Sequence, residues 1–329
     1  MRIVMTLVAH DEADIVDAHV RYHLAAGVDL ILATDHRSTD GTTEILRRYE
    51  RDGRLRLFRR DEEEFAQSTW VTEMARLAAR EHGAGWVINS DADEFWWPRA
   101  GTLRDVFDAT PPAFGAVRGL WRNFVLRPDS DTPFYERMTV RRDPSHDFDD
   151  VYAPHVKVAH RADPDVVVVQ GNHDARGERL RLVREWFPFE ILHFPIRSRR
   201  QLERKYSSAV YRRAVRGRVP RHTEAMEARI GADADAVYSE LVVDERSVAE
   251  GLRDGRLHRD ERLRSALSSK VAANAVPADE LQLAQEIDVF LATDAARKVE
   301  ERTRTLAQRQ ASLEQSALTH LLQRERRGP

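Results

Sequence analysis

Cysteine is absent from this chain of 329 residues, which excludes disulfides, thiolate zinc sites and a cysteine nucleophile. Charge of either sign is also not in surplus: 52 basic and 55 acidic side chains leave a net charge of −3, so no global field recruits nucleic acid. Lysine is scarce and stands only at positions 157, 205, 270 and 298, so arginine supplies nearly all the positive charge. No apolar run approaches the ~20 residues needed to span a membrane. The opening Met1-Arg2-Ile3-Val4-Met5 runs straight into a strand pattern and leaves no room for a signal peptide, so a cytoplasmic protein is expected, at most touching the inner face of the membrane. No glycine-rich loop follows the first apolar stretch, which argues against a P-loop or a dinucleotide fold.

What is present is a hydrophobic content of 42%, enough to fill a sizeable core, arranged in a βαβ rhythm. Nearly continuous apolar runs predict buried strands at 2–9, 30–33, 55–58 and 86–89. Helical spacing predicts helices from Ile15 to a stop at Gly27, from Thr43 to Tyr49 and from Phe65 to His82. This alternation predicts a doubly wound parallel sheet. Beyond Pro98, shorter strands are expected at 115–125, 134–142, 151–160, 166–170 and 190–195, with turns at 127–133 and 143–150. A basic helix containing Lys205 follows, and from about 222 the chain reads as helical. The expected division is residues 1–215 as one domain, with a nucleotide-binding half (1–97) and an acceptor half (98–215), and 216–329 as a helical extension. That extension is read as a solvated appendage with a homodimer seam; its basic end, from Leu318 to Arg327, also suits a peripheral contact with an anionic membrane.

The chemistry is expected at strand ends, where open α/β sheets bind ligands. The fourth strand closes in Asp91-Ala92-Asp93-Glu94, and alternation along a strand puts Asp91 and Asp93 on one side. Two such acids suit a hard divalent cation, Mg²⁺ or Mn²⁺, with positions left for phosphate oxygens. Asp35 ends the second strand and is placed to accept hydrogen bonds from a base or ribose; Asp40 either binds ligand or caps the next helix. His19 and His23, four apart on one helix face, are read as packed histidines in preference to a metal site.

Taken in order, Asp11-Glu12, Tyr22-His23 with Gly27-Val28, Asp35-x-x-Ser38-x-Asp40 and Asp91-Ala92-Asp93 resemble the family-two-like bacterial glycosyltransferases of the GT-A fold. The run Leu192-His193-Phe194-Pro195-Ile196-Arg197-Ser198, with Gln201 and Lys205, is similar to the same branch, and the resemblance covers about residues 1–210. Asp11 departs from the asparagine usual there. The resemblance implies a mixed central sheet with helices on both faces, a metal-dependent inverting transfer from a UDP-, GDP- or dTDP-sugar to an acceptor hydroxyl, and a setting in cell-surface glycan synthesis on a glycan or lipid-linked acceptor. It implies that Glu12, Asp35 and Asp40 line the nucleotide and that Asp93 ligates the metal. It further implies that Asp91 contacts ribose or metal, that His193 completes the metal site, and that Arg197 and Lys205 neutralise the leaving diphosphate. No clean copy of the family's late acidic pair is present; Asp174 and Glu190 are the candidate bases, followed by Asp150 and His173. The alternatives are a nucleotidyltransferase, a phosphohydrolase using Asp91 as nucleophile, and an inactive sugar-nucleotide-binding scaffold.

Overall fold

The computed structural model describes residues 1–143, 155–183, 186–207 and 221–268, all within one compact unit, Met1–Gln282. The first half follows the sequence rhythm: β1 (Ile3–Ala9), α1 (Val16–Ala25), β2 (Leu30–His36), α2 (Thr42–Arg51), β3 (Leu55–Arg60), α3 (Gln67–Arg80) and β4 (Trp86–Asp91). Strands β3, β2, β1 and β4 are neighbours in that order and all parallel. Ile3, Met5, Leu7 and Ala9 of β1 join a core with Val16 and Val20 of α1 and Leu46 of α2, whereas Val4 and Val8 join a second core with Trp70, Val71 and Met74 of α3. Helices therefore cover both faces, as a strand buried on two sides requires.

Past β4 the parallel rule ends. β5 (Glu94–Pro98), α4 (Leu103–Ala109), β6 (Ala116–Asn123), α5 (Phe134–Arg137), β7 (Val140–Arg142) and β8 (Val156–Arg161) follow. Then come β9 (Val167–Val168), β10 (Ala175–Arg176) and β11 (Phe189–His193). The main sheet has eight strands in the order β3-β2-β1-β4-β8-β6-β11-β5. β8 runs antiparallel to both β4 and β6, β11 is parallel to β6, and β5 is antiparallel to β11. The class is α/β with a mixed sheet, so the purely parallel arrangement predicted from the strand-helix alternation holds only for its first half.

Only Ala92 and Asp93 separate β4 from β5, yet three strands lie between them in the sheet. Four strand spacings of about 4.8 Å would put them about 19 Å apart in a flat sheet. The trace from Asp91 to Glu94 reaches at most about 11 Å. The sheet therefore curls until the end of β4 and the start of β5 meet.

Four expectations need correction. The strand expected at 134–142 is a helical turn, α5, entered at Pro133, followed by the three-residue β7; Phe134 turns inward onto Phe95 and Phe194. The strand expected at 166–170 is only the two-residue β9. The helix α4 was not anticipated, although Thr102 and Asp105 form a full capping box at its start. α6 (Arg199–Ser207) is the expected basic helix, and within the stretch from about 222 expected to be helical, α7 (Arg221–Leu241), α8 (Glu245–Asp254) and α9 (Arg262–Ser268) share the chain with a short strand between α8 and α9, β12 (Leu257–Arg259), which pairs with β7. Gly255, at φ 82°, ends α8 in the left-handed region and makes that strand possible. The expected helix at 279–325, the basic end at 318–327 and Asp150 lie outside the described residues.

Candidate functional site

Because β4, β6 and β11 point the same way, their C-terminal ends share one edge of the curled sheet and carry Asp91, Asn123 and His193. The antiparallel β5 and β8 begin at that edge and bring Glu94 and Lys157. The Phe194 N–H donates to the Asp93 carbonyl at 2.9 Å and fixes the β4–β5 link against the end of β11.

Asp93, Glu94 and His193 are all buried, and one potential ligand atom from each lies within 4.8 Å of the others. His193 Nδ1 is 2.7 Å from Asn123 Oδ1, an acceptor, so Nδ1 carries the proton and Nε2 presents its lone pair. Nε2 faces Asp93 Oδ2 at 3.7 Å. Burial holds the imidazole below its ordinary pKa, and so neutral, against the pull of Asp93. Two lone pairs aimed at one space, with the histidine's other nitrogen fixed by an amide, match what a divalent cation requires of its ligands. Burial alone would raise the Asp93 pKa, but Lys205 at 3.2 Å, with His193 and Arg197, drives it well below the usual carboxylate range. Burial pushes Glu94 up to about 8, although Lys157 lies 2.8 Å away and opposes the shift.

Asp91 stands apart from this ligand cluster. β4 ends at Asp91 and the chain turns through 92–93, so strand alternation no longer relates the two aspartates. One Asp91 oxygen accepts from Gln67 at 2.6 Å and Asn172 at 3.0 Å, and the other from Lys157 Nζ at 2.6 Å. Lys157 Nζ also donates to the Gly171 carbonyl at 2.7 Å. The turn Gly171-Asn172, with φ of 76° and 61°, is thereby tied to the acid loop. Trp121 completes the floor, its Nε1 donating to Glu94 at 3.0 Å and its ring stacking on His193 at a centroid distance of 4.0 Å.

Across the edge, the loop after β1 and helix α6 form a half-open cleft lined by His10, Asp11, Glu12, Gln201, Arg204 and Lys205. Asp11 has φ 54° and accepts from the Thr39 N–H at 2.7 Å. Aspartate and asparagine both tolerate that backbone and both supply the oxygen, which accounts for aspartate at this position. Burial raises Glu12 to about 7 against the pull of Arg197, which is hydrogen-bonded to it. Arg197 also holds Asp14 at 2.7 and 3.0 Å and is itself buried. It is thus part of the wall behind Glu12, its guanidinium engaged by two acids and the Phe194 carbonyl. Asp35 is fully buried, accepting from Thr43 and from the Ser38 N–H at 3.3 Å, and shapes the β2–α2 loop. Asp40 accepts from the Ala13 and Thr42 N–H groups at 3.0 and 3.1 Å and from Arg204 at 2.9 Å; the N-cap of α2 is Gly41 and carries no side-chain cap, so the expected capping role is not the one Asp40 fills, and it ties the loop after β1 to the start of α2.

The candidate bases separate. Glu190 lies on the strand face opposite His193, with Arg122 at 2.7 Å, Arg262 at 2.5 Å and Arg99 at 3.7 Å. Burial would raise its pKa, but Arg122, Arg262, Arg141 and Arg99 outweigh it and hold the carboxyl well below its ordinary value. Such a group is a poor proton acceptor. Asp174 is partly exposed, pairs with Arg118 at 3.2 Å and follows the turn anchored to Asp91. Burial and Lys157 lower His173 to about 4, and its Nδ1 is bound to the Val156 carbonyl. His19 and His23 are packed: both are buried, His23 bridges the His19 carbonyl and the Trp96 N–H, and burial lowers His19 to about 3. Sequence reasoning did not single out Glu94 or Gln67; it placed Asn123 and the turn at 171–174 in the half that shapes the second substrate's site, without the contacts of Asn172 to Asp91 and of Asn123 to His193. For Glu94 the signal was present in its position directly after Asp93.

No protein-family model matches the chain, and no curated protein matches it. Solved structures do match. Staphylococcus aureus TarS 1–349 in complex with UDP aligns over 81% of this chain and 91% of its own, at 10% identity and a TM-score of 0.33. Glucosyl-3-phosphoglycerate synthase from Mycobacterium tuberculosis, in complex with Mn²⁺, UDP and glucosyl-3-phosphoglycerate, aligns over 37% of this chain and 44% of its own, at 19% identity and a TM-score of 0.27. A 4-diphosphocytidyl-2C-methyl-D-erythritol synthase aligns over 49% and 75%, at 10% identity and a TM-score of 0.29. The chain spans less than half the length of the mycobacterial structures it matches. Likenesses this slight carry no argument about what the chain does.

Proposed function

We propose that this chain is a metal-dependent glycosyltransferase of the GT-A kind, moving a sugar from a nucleotide-sugar to an acceptor hydroxyl with inversion. The observation that carries the reading is the His193 Nε2 facing Asp93 Oδ2, beside Glu94, with the other ring nitrogen held by Asn123, at the strand edge where α/β sheets bind ligands. Asp93, His193 and Glu94 would hold Mn²⁺ or Mg²⁺, whose charge would stabilise a departing nucleoside diphosphate. The nucleotide would enter by the cleft between the loop after β1 and α6, with Glu12 in its wall and Arg204 and Lys205 as cations lining it. Asp91 works at one remove, by holding Lys157, Gln67 and Asn172.

Asp174 is the base of this reading. Its carboxylate takes the acceptor hydroxyl's proton while that oxygen bonds to the anomeric carbon, and the bond from that carbon to the diphosphate oxygen breaks. The phosphohydrolase alternative needs Asp91 as a nucleophile, and both Asp91 oxygens already accept hydrogen bonds. Among the described residues no helix is long and apolar enough to cross a membrane.

Incubation with UDP-, GDP- and dTDP-sugars, Mn²⁺ and a panel of hydroxyl acceptors should release one nucleoside diphosphate in step with acceptor glycosylation. Asp174→Asn should slow that release by about 10²- to 10⁴-fold without weakening donor binding. Release of pyrophosphate from a nucleoside triphosphate in place of this reaction would replace the reading with nucleotidyl transfer.

A further inference from the structure

Two of the chain's four lysines lie against the acid loop, and they differ in exposure. Lys157 is almost fully buried, and its ammonium makes three short contacts, to Asp91, Glu94 and the Gly171 carbonyl. An ammonium has three donors, so this one is saturated. Lys205 is more open, with 18% of its side chain exposed, and stands in the wall of the nucleotide cleft. Its Nζ lies 3.2 Å from Asp93 Oδ2 and 2.9 Å from the Pro195 carbonyl. The oxygen it contacts is the one that His193 Nε2 faces.

We infer that Lys205 is a displaceable counter-ion of the metal site. It neutralises Asp93 until a divalent cation arrives, is pushed off by it, and then pairs with the diphosphate in the cleft it already lines. The inference rests on the metal-site reading above. Two cations cannot share one buried carboxylate oxygen without strong mutual repulsion, because little solvent lies between to screen them. Lys157 is the poorer candidate to leave, since its departure would take from both Asp91 and Glu94 the one cation in contact with them among the described residues. Lysine suits the moving role because it is a point charge on a flexible stem that can turn from a carboxylate to a phosphate without a fixed fork geometry. α6 offers the reach: the cleft is lined from it by Gln201, Arg204 and Lys205, while Arg204 is held to Asp40 at 2.9 Å.

The inference predicts effects of opposite sign in one variant. Lys205→Met should bind Mn²⁺ about tenfold more tightly than wild type in the absence of nucleotide, measured as loss of the free-ion EPR signal on titration. The same variant should bind pyrophosphate in the presence of Mn²⁺ about tenfold more weakly. Lys205→Arg should return Mn²⁺ affinity toward wild type, and Asp93→Asn should abolish Mn²⁺ uptake in either background. Wild type that takes up Mn²⁺ through Asp93, with Lys205→Met equal to it or weaker, would overturn the displacement and leave the metal site standing. Failure of every variant and of wild type to take up Mn²⁺ would overturn the metal reading and the displacement with it.

Discussion

At Glu190, the arginines at 99, 122, 141 and 262 face one buried carboxylate whose pKa they hold well below the ordinary value against the effect of burial. Replacing it by glutamine removes the carboxylate that these buried guanidinium groups share, and breaking such a buried pair costs about 3–5 kcal/mol. A depressed carboxyl contributes its stability above the unfolded-state value of 4.5 and loses it as pH falls through the folded-state value. Urea unfolding of Glu190→Gln should therefore show a deficit of that size at pH 7, shrinking progressively below pH 4.5 as the wild-type group is itself protonated. A deficit unchanged at pH 3 would contradict this role. The sequence marked Glu190 as a candidate base because it could not show Arg99, just past β5, Arg122 of β6 and Arg262 of α9 converging on it. Asp93 was readable as an acid just past an apolar strand, whereas His193 entered only through the resemblance of Leu192 to Ser198 to the glycosyltransferase branch. The pairing of Asp91 with Asp93 was misread because alternation along β4 stops where the strand does.

Between elements, Lys157 ties β8 to the β4–β5 link and to the turn at 170–174. Lys157→Met removes a donor from Asp91, Glu94 and the Gly171 carbonyl at once, and an uncompensated buried charge is the expensive outcome. Hydrogen exchange should then rise at the amides of Gly171 to Asp174, whose turn is otherwise tied down through Asn172 and Gln170, while β1–β3 exchange as before. Equal protection of that turn in the variant would mean that the lysine does not hold it. The first seven elements were visible in the sequence because each carries its own apolar period. β5 was not, because its placement at the far edge of the sheet depends on the curl, and no local pattern encodes that. β12 was hidden for a related reason: its three residues gain a partner only when the chain returns to β7.

On the scale of the whole molecule, the curl is what makes a site from residues as distant in sequence as Glu12, Asp93, Lys157 and His193. β1, β2, β4, β6 and β11 deliver their C-terminal ends to one rim; β5 and β8 deliver their starts. The motif order was readable in advance, but the division of labour around that rim was not: Asp91, Asp35, Asp40 and Arg197 proved to be engaged by protein partners. The central claim is that Asp93, with His193 and Glu94, couples a divalent cation to a nucleoside diphosphate. Its most direct test is thermal unfolding with UDP, GDP, CDP and dTDP, each with and without Mn²⁺, in wild type and Asp93→Ala. A ligand at one hundred times its Kd stabilises by about 2.7 kcal/mol, an easily seen shift of the midpoint. The account predicts that one diphosphate raises the wild-type midpoint only when Mn²⁺ is present and leaves Asp93→Ala unmoved. Equal stabilisation with and without metal, or an undiminished shift in Asp93→Ala, would contradict it.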